Sequence, residues 1–313
     1  MTLSADPSLE PQLHAVVCPG AAGKGATPRE MRYWVWQSPT CAAPDHVVVC
    51  VHGLTRQGRD FDVLARSLAT DCTVIAVDVA GRGRSDWLGD PSQYGVPTYV
   101  ADHVHLLKQL TERFQPRQLD WVGTSMGGLI GIGMAALPAA YLATPIRRMV
   151  LNDVGPTLAL EALRRIGTYV GKSGTFESLQ AGADALWKTS SDFGPHTAQQ
   201  WLDLSTPMLV AQEGRWALHY DPAIGLAFQG LDQPDAAAQV DAGNEALWTM
   251  YEAITAEVLV LRGAESDLLS QATLQEMRTR GPKAQSVEFA GVGHAPTLIA
   301  PDQVAAVRAF LLS

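Results

Sequence analysis

Residues 119–137 constrain the fold of this chain more than any other stretch. An apolar run that predicts a β-strand leads into Gly123-x-Ser125-x-Gly127, and the following residues predict a helix. A serine on such a sharp turn takes strained backbone angles, and small neighbours two residues away relieve the resulting clash. The turn exposes the hydroxyl, while the helix start directs free N–H groups toward it. This arrangement favours attack on a carbonyl group, so Ser125 is a candidate nucleophile.

Two further groups of a nucleophilic site follow later strand-like runs. A serine hydroxyl needs a base to take its proton, and that base needs a carboxylate to fix its tautomer. His294 stands in a Gly-x-Gly-His turn after the run 286–289, which makes it the candidate base. Asp267 follows the run 258–261 and is the favoured acid. The chain order is therefore Ser, Asp, His.

Two backbone N–H groups are candidates for stabilising an oxyanion. Met126 directly follows Ser125 at the predicted helix start, where its N–H group points toward the hydroxyl. Leu54 lies in the turn 52–55 that ends the apolar run 47–51, so its N–H group is the second candidate.

The other strand-like runs alternate with helical patterns, as a parallel sheet covered by helices requires. Residues before Met31 are rich in Gly, Pro and Ala, and we expect them to run over the surface. The predicted strands are 33–36, 47–51, 74–77, 119–122, 149–152, 258–261 and 286–289, and the predicted helices are 60–69, 99–110, 126–137, 271–278 and 301–311.

About a hundred residues interrupt this alternation, far more than a simple crossover needs. We predict a core of residues 1–155 and 257–313 and a mostly helical cap of residues 156–256 over the carboxyl ends of the strands. The cap tryptophans either line a substrate pocket or form the cap's own core; the pocket candidates are Trp187, Trp201 and Trp216.

Arg56 lies just after the Leu54 turn. One hypothesis is that it faces the site and favours substrates with a carboxylate, such as hydroxy-acid oligomers or acidic esters. The alternative, which we favour, is a surface arginine at a helix start that pairs with Asp60 or Asp62.

Composition limits the classes of protein and partner. The chain has 313 residues, of which 47% are hydrophobic and 18% charged, so it predicts a globular fold with a sizeable core. A net charge of -9 disfavours nucleic acid or an anionic membrane as partner. Residues 1–11 lack the basic and apolar regions of a secretion signal. The four cysteines have no metal-ligand spacing, and we expect free thiols in the cytoplasm.

The chain resembles serine hydrolases of the α/β-hydrolase superfamily, in the carboxylesterase-like branch with a helical cap. The resemblance implies a mostly parallel twisted sheet flanked by helices, with the cap inserted after strand six. Some members of the fold place the acid after strand six, which keeps Asp153 as the alternative acid. The resemblance extends from about Met31 onward and rests on His52-Gly53, Asp78-x-x-Gly81-x-Gly83-x-Ser85, the Ser125 turn, Asn152-Asp153 and the loops of Asp267 and His294.

The resemblance predicts ester hydrolysis through an acyl-enzyme, without metal or organic cofactor. A serine at position 125 argues against haloalkane dehalogenases and epoxide hydrolases, which use aspartate, and against dienelactone hydrolases, which use cysteine. The same triad can also open lactones, hydrolyse thioesters or cleave C–C bonds. A ligand receptor that keeps the triad with negligible turnover is an alternative of another class. The expected partner is a small-molecule ester, and a homo-oligomer remains open.

Overall fold

An eight-stranded sheet forms the centre of the computed structural model, which describes residues 9–20, 27–172 and 174–313. Its strand order is β1-β2-β4-β3-β5-β6-β10-β11. The strands of the chain are β1 Gln12–Cys18, β2 Arg29–Trp36, β3 Ala43–Val51, β4 Cys72–Asp78, β5 Gln118–Thr124, β6 Ile146–Asn152, β7 Thr175–Phe176, β8 Leu209–Gln212, β9 Arg215–Leu218, β10 Glu257–Gly263 and β11 Gln285–Phe289.

All strands from β4 to β11 in this order pair in parallel, whereas β2 runs antiparallel to both of its neighbours. The central strands are buried on both faces, which explains why they are almost continuously apolar; Val47 to Val51 are all fully buried. Parallel strands bring their carboxyl ends to one edge of the sheet. The residues that follow β3, β5, β6 and β10 therefore meet at that edge.

Helices cover both faces of the sheet. Leu106 and Ile130, from α2 and α3, belong to the apolar core on one face, and Leu64 and Val307, from α1 and α9, belong to that on the other. The helices are α1 Asp62–Leu68, α2 Val96–Phe114, α3 Met126–Ala135, α4 Leu160–Gly167, α5 Leu179–Ser190, α6 Ala198–Ser205, α7 Ala236–Glu252, α8 Gln271–Met277 and α9 Pro301–Leu311.

Residues 156–256, between β6 and β10, are called the inserted segment below. They contain α4 to α7 and also a small antiparallel sheet in the order β7-β9-β8. The sequence predicted mostly helices here and missed this sheet. Its strands have two to four residues each, too short to produce a clear alternating pattern.

The prediction that residues before Met31 only run over the surface is wrong. Residues 12–18 form β1, which pairs with β2 over its whole length, with Val16 opposite Met31. As an edge strand it is buried on alternating positions only, so it lacks the apolar run that revealed the central strands.

The sequence analysis predicted that residues 1–11 are not a secretion signal. Most of these residues lie outside the described part of the chain. Within the described part, none of the helices combines the length and apolar character needed to cross a bilayer.

Candidate active site

Ser125 is the first residue after β5 and immediately precedes α3. Its φ of 51° and ψ of -115° are unusual for a residue with a side chain, as expected for a tight strand-to-helix turn. Its N–H group donates to the Asn152 carbonyl oxygen at 2.9 Å, which extends the β5–β6 pairing by one residue. The adjoining strand thus holds Ser125 in this conformation.

The two glycines of the Gly-x-Ser-x-Gly motif are required by close backbone approaches. A Cβ atom on Gly127 would lie 1.9 Å from the Val51 carbonyl oxygen at the end of β3. A Cβ atom on Gly123 would lie 2.3 Å from the Gly127 carbonyl oxygen. Any side chain at either position would push α3 away from the sheet and displace the serine turn.

His294 connects Ser125 to a carboxylate. Its Nε2 atom lies 2.9 Å from Ser125 Oγ, and its Nδ1 atom lies 2.8 Å from Asp153 Oδ2. The His294 loop is held in place by Asn152, whose Nδ2 atom donates to the Pro296 carbonyl oxygen at 2.8 Å. Serine, histidine and carboxylate therefore form one chain of hydrogen bonds, as the predicted Ser125–His294 pair requires.

Asp153 is a fully buried carboxylate directly after β6. Its backbone has a positive φ of 56°. Gly263 N–H donates to Oδ1 at 2.8 Å, and Ser266 Oγ–H donates to Oδ2 at 2.6 Å, beside His294. Both oxygen atoms of this carboxylate are thus fixed by hydrogen bonds, and Oδ2 is positioned to accept the Nδ1–H group of His294.

The predicted contact between Asp267 and His294 is wrong. Asp267 instead accepts two hydrogen bonds from Arg165 of α4, at 2.6 Å from Nε and 2.9 Å from Nη2. Its side chain is 46% exposed. The physical reason is distance from the strand. Asp153 directly follows β6, whereas Asp267 lies on a loop four residues beyond the end of β10. There it forms an ion pair with Arg165 of the inserted segment.

The predicted oxyanion donors lie on the turns that flank Ser125. Met126 is the first residue of α3, so its N–H group has no helical acceptor. Leu54 follows β3 and lines the same cavity as Ser125. Both residues thus lie next to Ser125 along the chain or in the cavity, and their role as oxyanion donors stays a prediction.

Arg82 supports both of these turns and was missed by the sequence reasoning. This fully buried guanidinium donates from Nε to the Leu54 carbonyl oxygen at 2.8 Å and approaches Met126 Sδ at 3.6 Å. Tyr99 Oη accepts from its Nη1 at 2.7 Å. The only sequence signal was its position between the two glycines of the Asp78 motif, a cation in a turn after a buried strand.

His52 is a buried histidine with a structural environment. Its Nε2 atom accepts a hydrogen bond from Val79 N–H at 3.0 Å, and its Nδ1 atom lies 2.7 Å from the Gly53 carbonyl oxygen. Burial lowers the pKa of His52 to about 3. The ring is therefore neutral near pH 7, and its two hydrogen bonds hold the start of the Leu54 turn.

A cavity of about 280 Å³ opens above Ser125. Residues outside the inserted segment, among them Gly53, Ser125 and His294, form the floor of this cavity, and the inserted segment supplies most of its walls. The wall is largely apolar and aromatic; its members include Ile166, Tyr169, Val170, Phe176, Leu186, Phe193, Met208, Leu218 and Tyr220. Three cationic residues, Arg56, Arg165 and Lys172, also line the cavity. A concave, mostly apolar site with some polar groups is typical of binding sites for small organic molecules.

The three tryptophans predicted as pocket residues do not line this cavity in the described part of the chain. Trp187 and Trp201 pack edge to face at 4.9 Å within the core of the inserted segment, and Trp201 Nε1–H donates to the Ala183 carbonyl oxygen. Trp216 lines a separate cleft between the inserted segment and α1. The alternative prediction, that these side chains form the segment's own core, is confirmed for Trp187 and Trp201.

Arg56 combines features of both hypotheses. It pairs with Asp60 through two hydrogen bonds of 2.7 and 2.8 Å, as the favoured alternative predicted. It is not a surface residue, however, because it is only 8% exposed and lines the cavity over Ser125.

Comparison with known proteins agrees with this fold. Residues 48–307 match the alpha/beta hydrolase family. The chain therefore belongs to the alpha/beta hydrolase family.

Individual relatives are similar over nearly the whole chain. The 3-hydroxybutyrate-oligomer hydrolase of Cupriavidus necator is 45% identical over 307 residues, which cover 97% of this chain and 98% of that protein. The 2-(acetamidomethylene)succinate hydrolase of Mesorhizobium japonicum is 26% identical over 80% of this chain and 82% of its own. A solved alpha/beta hydrolase from Novosphingobium aromaticivorans has a TM-score of 0.78 and 32% identity, covering 97% of this chain and 99% of its own. The chain is an enzyme of the carboxylic ester hydrolase class.

Proposed function

We propose that this enzyme cleaves the ester bonds of 3-hydroxybutyrate oligomers through an acyl-enzyme intermediate on Ser125. The observation that carries the mechanism is the hydrogen-bonded chain Ser125–His294–Asp153 at the floor of the cavity. The substrate class is supported by 45% identity over the full length to a protein named for that reaction. The largely apolar cavity suits the methyl and methylene groups of such a polyester.

In the first step, Ser125 Oγ forms a bond to the ester carbonyl carbon while His294 Nε2 takes the hydroxyl proton. The N–H groups of Leu54 and Met126 donate to the resulting oxyanion. The bond from the carbonyl carbon to the alcohol oxygen then breaks, and His294 gives its proton to that oxygen. Asp153, which faces Nδ1, holds the ring and stabilises the transient positive charge on it.

In the second step, water attacks the acyl-enzyme while His294 takes one of its protons. The tetrahedral intermediate collapses, the bond to Ser125 Oγ breaks, and the serine recovers its proton from His294. The released acid carries the new C–O bond. These steps use only water and groups of the protein.

We further propose that the inserted segment acts as a cap, because its residues form most of the wall above Ser125. The cysteines also bear on location. All four are free, and three are buried, which supports our proposal of a reducing cytoplasm.

The proposal is tested with linear 3-hydroxybutyrate dimers and trimers, with monomer release followed by chromatography. The wild-type protein is expected to release monomer, and Ser125→Ala is expected to lose roughly 10⁴-fold or more in turnover while keeping its circular dichroism spectrum. Activity retained by Ser125→Ala would refute the mechanism. A wild-type protein that binds the oligomers without turnover would instead support the receptor alternative.

A further inference from the structure

The formally charged residues that line the cavity above Ser125 are all cations. Arg56, Arg165 and Lys172 belong to its lining, and no aspartate or glutamate does so among the residues that the structure describes. The chain as a whole has a net charge of -9. Such a chain repels anions at long range, whereas cations in a cleft with apolar walls raise the local concentration of an anion. The charges of the lining therefore indicate a ligand with a negative group.

Two of these cations already have carboxylate partners. Arg56 donates to Asp60 through two hydrogen bonds of 2.7 and 2.8 Å, and it is only 8% exposed. Arg165 donates to Asp267 through two hydrogen bonds of 2.6 and 2.9 Å. A guanidinium group in such a two-bond pair has most of its charge balanced by its partner. Neither arginine is therefore the main binding group for a further anion.

Lys172 is the cation of the lining that remains available. Its side chain forms no hydrogen bond or ion pair within the described part of the chain, and the residue is exposed. An ammonium group can donate three hydrogen bonds, so its donors are free to bind a ligand. In contrast to the enclosed Arg56, Lys172 can be reached by a molecule that enters the cavity.

The backbone holds Lys172 in the cavity wall. The preceding residue, Gly171, has a φ of 78°, a region that favours glycine, and a Cβ atom on it would lie 2.7 Å from the Pro222 carbonyl oxygen. The Lys172 N–H group donates to the Tyr169 carbonyl oxygen at 3.3 Å. The chain thus makes a tight turn here, and both Tyr169 and Lys172 belong to the lining.

The chemistry of the proposed substrate puts its negative group on a defined side of the scissile bond. Each ester of a 3-hydroxybutyrate oligomer joins the carbonyl carbon of one unit to the hydroxyl oxygen of the next, and the chain ends in a free carboxylate. Whichever ester is cleaved, the carboxylate therefore belongs to the leaving alcohol. A cation that binds this carboxylate holds the leaving part of the substrate and not the acyl part on Ser125.

We propose that the Lys172 ammonium group binds the terminal carboxylate of the oligomer, on the alcohol side of the scissile ester. Asp60 and Asp267 balance the two arginines, so Lys172 is the charge that the substrate itself neutralises. Lys172 is then a specificity-determining residue that distinguishes an oligomer with a free acid from a neutral ester. This inference rests on the proposed function and names a subsite within it.

The test uses two linear 3-hydroxybutyrate trimers that differ only at the carboxyl end, the free acid and its primary amide. Both compete in one reaction, and their relative disappearance, followed by chromatography, gives the ratio of their kcat/KM values. We expect the wild-type enzyme to favour the acid by roughly 10-fold, the effect of one hydrogen bond between charged groups. In Lys172→Gln this ratio is expected to fall toward one, and in Lys172→Arg most of it should be restored.

Lys188→Gln is the matched control, because Lys188 is an exposed lysine of the same inserted segment and lies outside the described lining of this cavity. Its ratio is expected to equal that of the wild type. Equal kcat/KM values for the two trimers in the wild-type enzyme would overturn the inference. A wild-type ratio in Lys172→Gln, or the same fall in Lys188→Gln, would also overturn it. In each of these cases, Ser125-dependent cleavage of both trimers would leave the proposed function intact.

Discussion

Two carboxylates near the same edge of the sheet have different environments. Asp153 adjoins β6, is fully buried, and is fixed by the Gly263 N–H group, Ser266 and His294. Asp267 lies on a loop, is about half exposed, and pairs with Arg165 of the inserted segment. We call the first region, with Ser125, Asp153 and His294, the strand-end site, and the second, with Arg165 and Asp267, the segment boundary.

The difference shows how the sheet fixes functional groups. The N–H groups of Ser125 and Asp153 each donate to a carbonyl oxygen on the adjoining strand, at 2.9 and 2.8 Å. The strand pairing thus fixes the backbone positions of the residues that directly follow a strand. The loop residue Asp267 is not fixed by strand pairing, and its side chain forms an ion pair with Arg165.

Asp153→Asn should produce the largest effect that separates the two regions. An amide cannot hold the Nδ1–H tautomer of His294 or stabilise its positive charge, so kcat for ester hydrolysis is expected to fall by roughly 10⁴-fold. Steady-state kinetics with p-nitrophenyl butyrate provide the measurement, with near-native circular dichroism as the check on folding. A loss of less than 10-fold, with the fold intact, would contradict the role of Asp153.

The buried His52, which adjoins the Leu54 turn, should make the free energy of unfolding depend on pH. Burial lowers the pKa of His52 to about 3, below the ordinary value of 6.5. As the pH falls below 6.5, the unfolded chain binds a proton at this position and the folded chain does not, so this group favours unfolding progressively. Its contribution costs about 2 kcal/mol between pH 7 and pH 5.

His52→Gln removes this titration but keeps an oxygen atom that can accept the Val79 N–H group. Its free energy of unfolding should be lower at pH 7, yet should fall less between pH 7 and pH 5 than that of the wild type. Urea unfolding of both proteins at both pH values gives the comparison, and the other histidines cancel. Parallel pH dependences would show that His52 does not titrate as described.

Asp267→Asn should produce the smallest effect. The Arg165–Asp267 pair is partly exposed, and such pairs typically stabilise a protein by about 0.2–1 kcal/mol. We expect kcat to change by only a few-fold and the unfolding free energy to fall by no more than about 1 kcal/mol. Asp153→Asn is assayed in parallel under the same conditions. A similar loss of kcat in both variants would contradict the different roles assigned to the two carboxylates.

The sequence predicted much of the central fold because its signals are local. The continuous apolar runs of the buried strands placed β3, β5 and β6, and the motif around Ser125 placed the strand-to-helix turn. The geometry of the Ser125–His294 pair also agrees with the prediction. Gly123 and Gly127 made the strand-to-helix turn predictable, because residues with a side chain at these positions would prevent the close approach of α3 to the sheet.

The choice of carboxylate was not visible in the sequence, because Asp153 and Asp267 both follow strand-like runs. It depends on the positive φ of Asp153 and on Arg165, which the inserted segment brings across to Asp267. The walls of the cavity were hidden for a similar reason. The sequence around a residue such as Trp201 does not distinguish a side chain that lines a cavity from one that packs inside the segment, as Trp201 does.

The most direct test of the central claim is the rate at which a fluorophosphonate modifies Ser125 in the wild type and in the two aspartate variants, measured by intact mass. This reaction depends on activation of the serine and requires no knowledge of the natural substrate. We expect Asp267→Asn to react at nearly the wild-type rate and Asp153→Asn to react far more slowly. The reverse order, or equal rates in all three proteins, would contradict a site built from Ser125, His294 and Asp153.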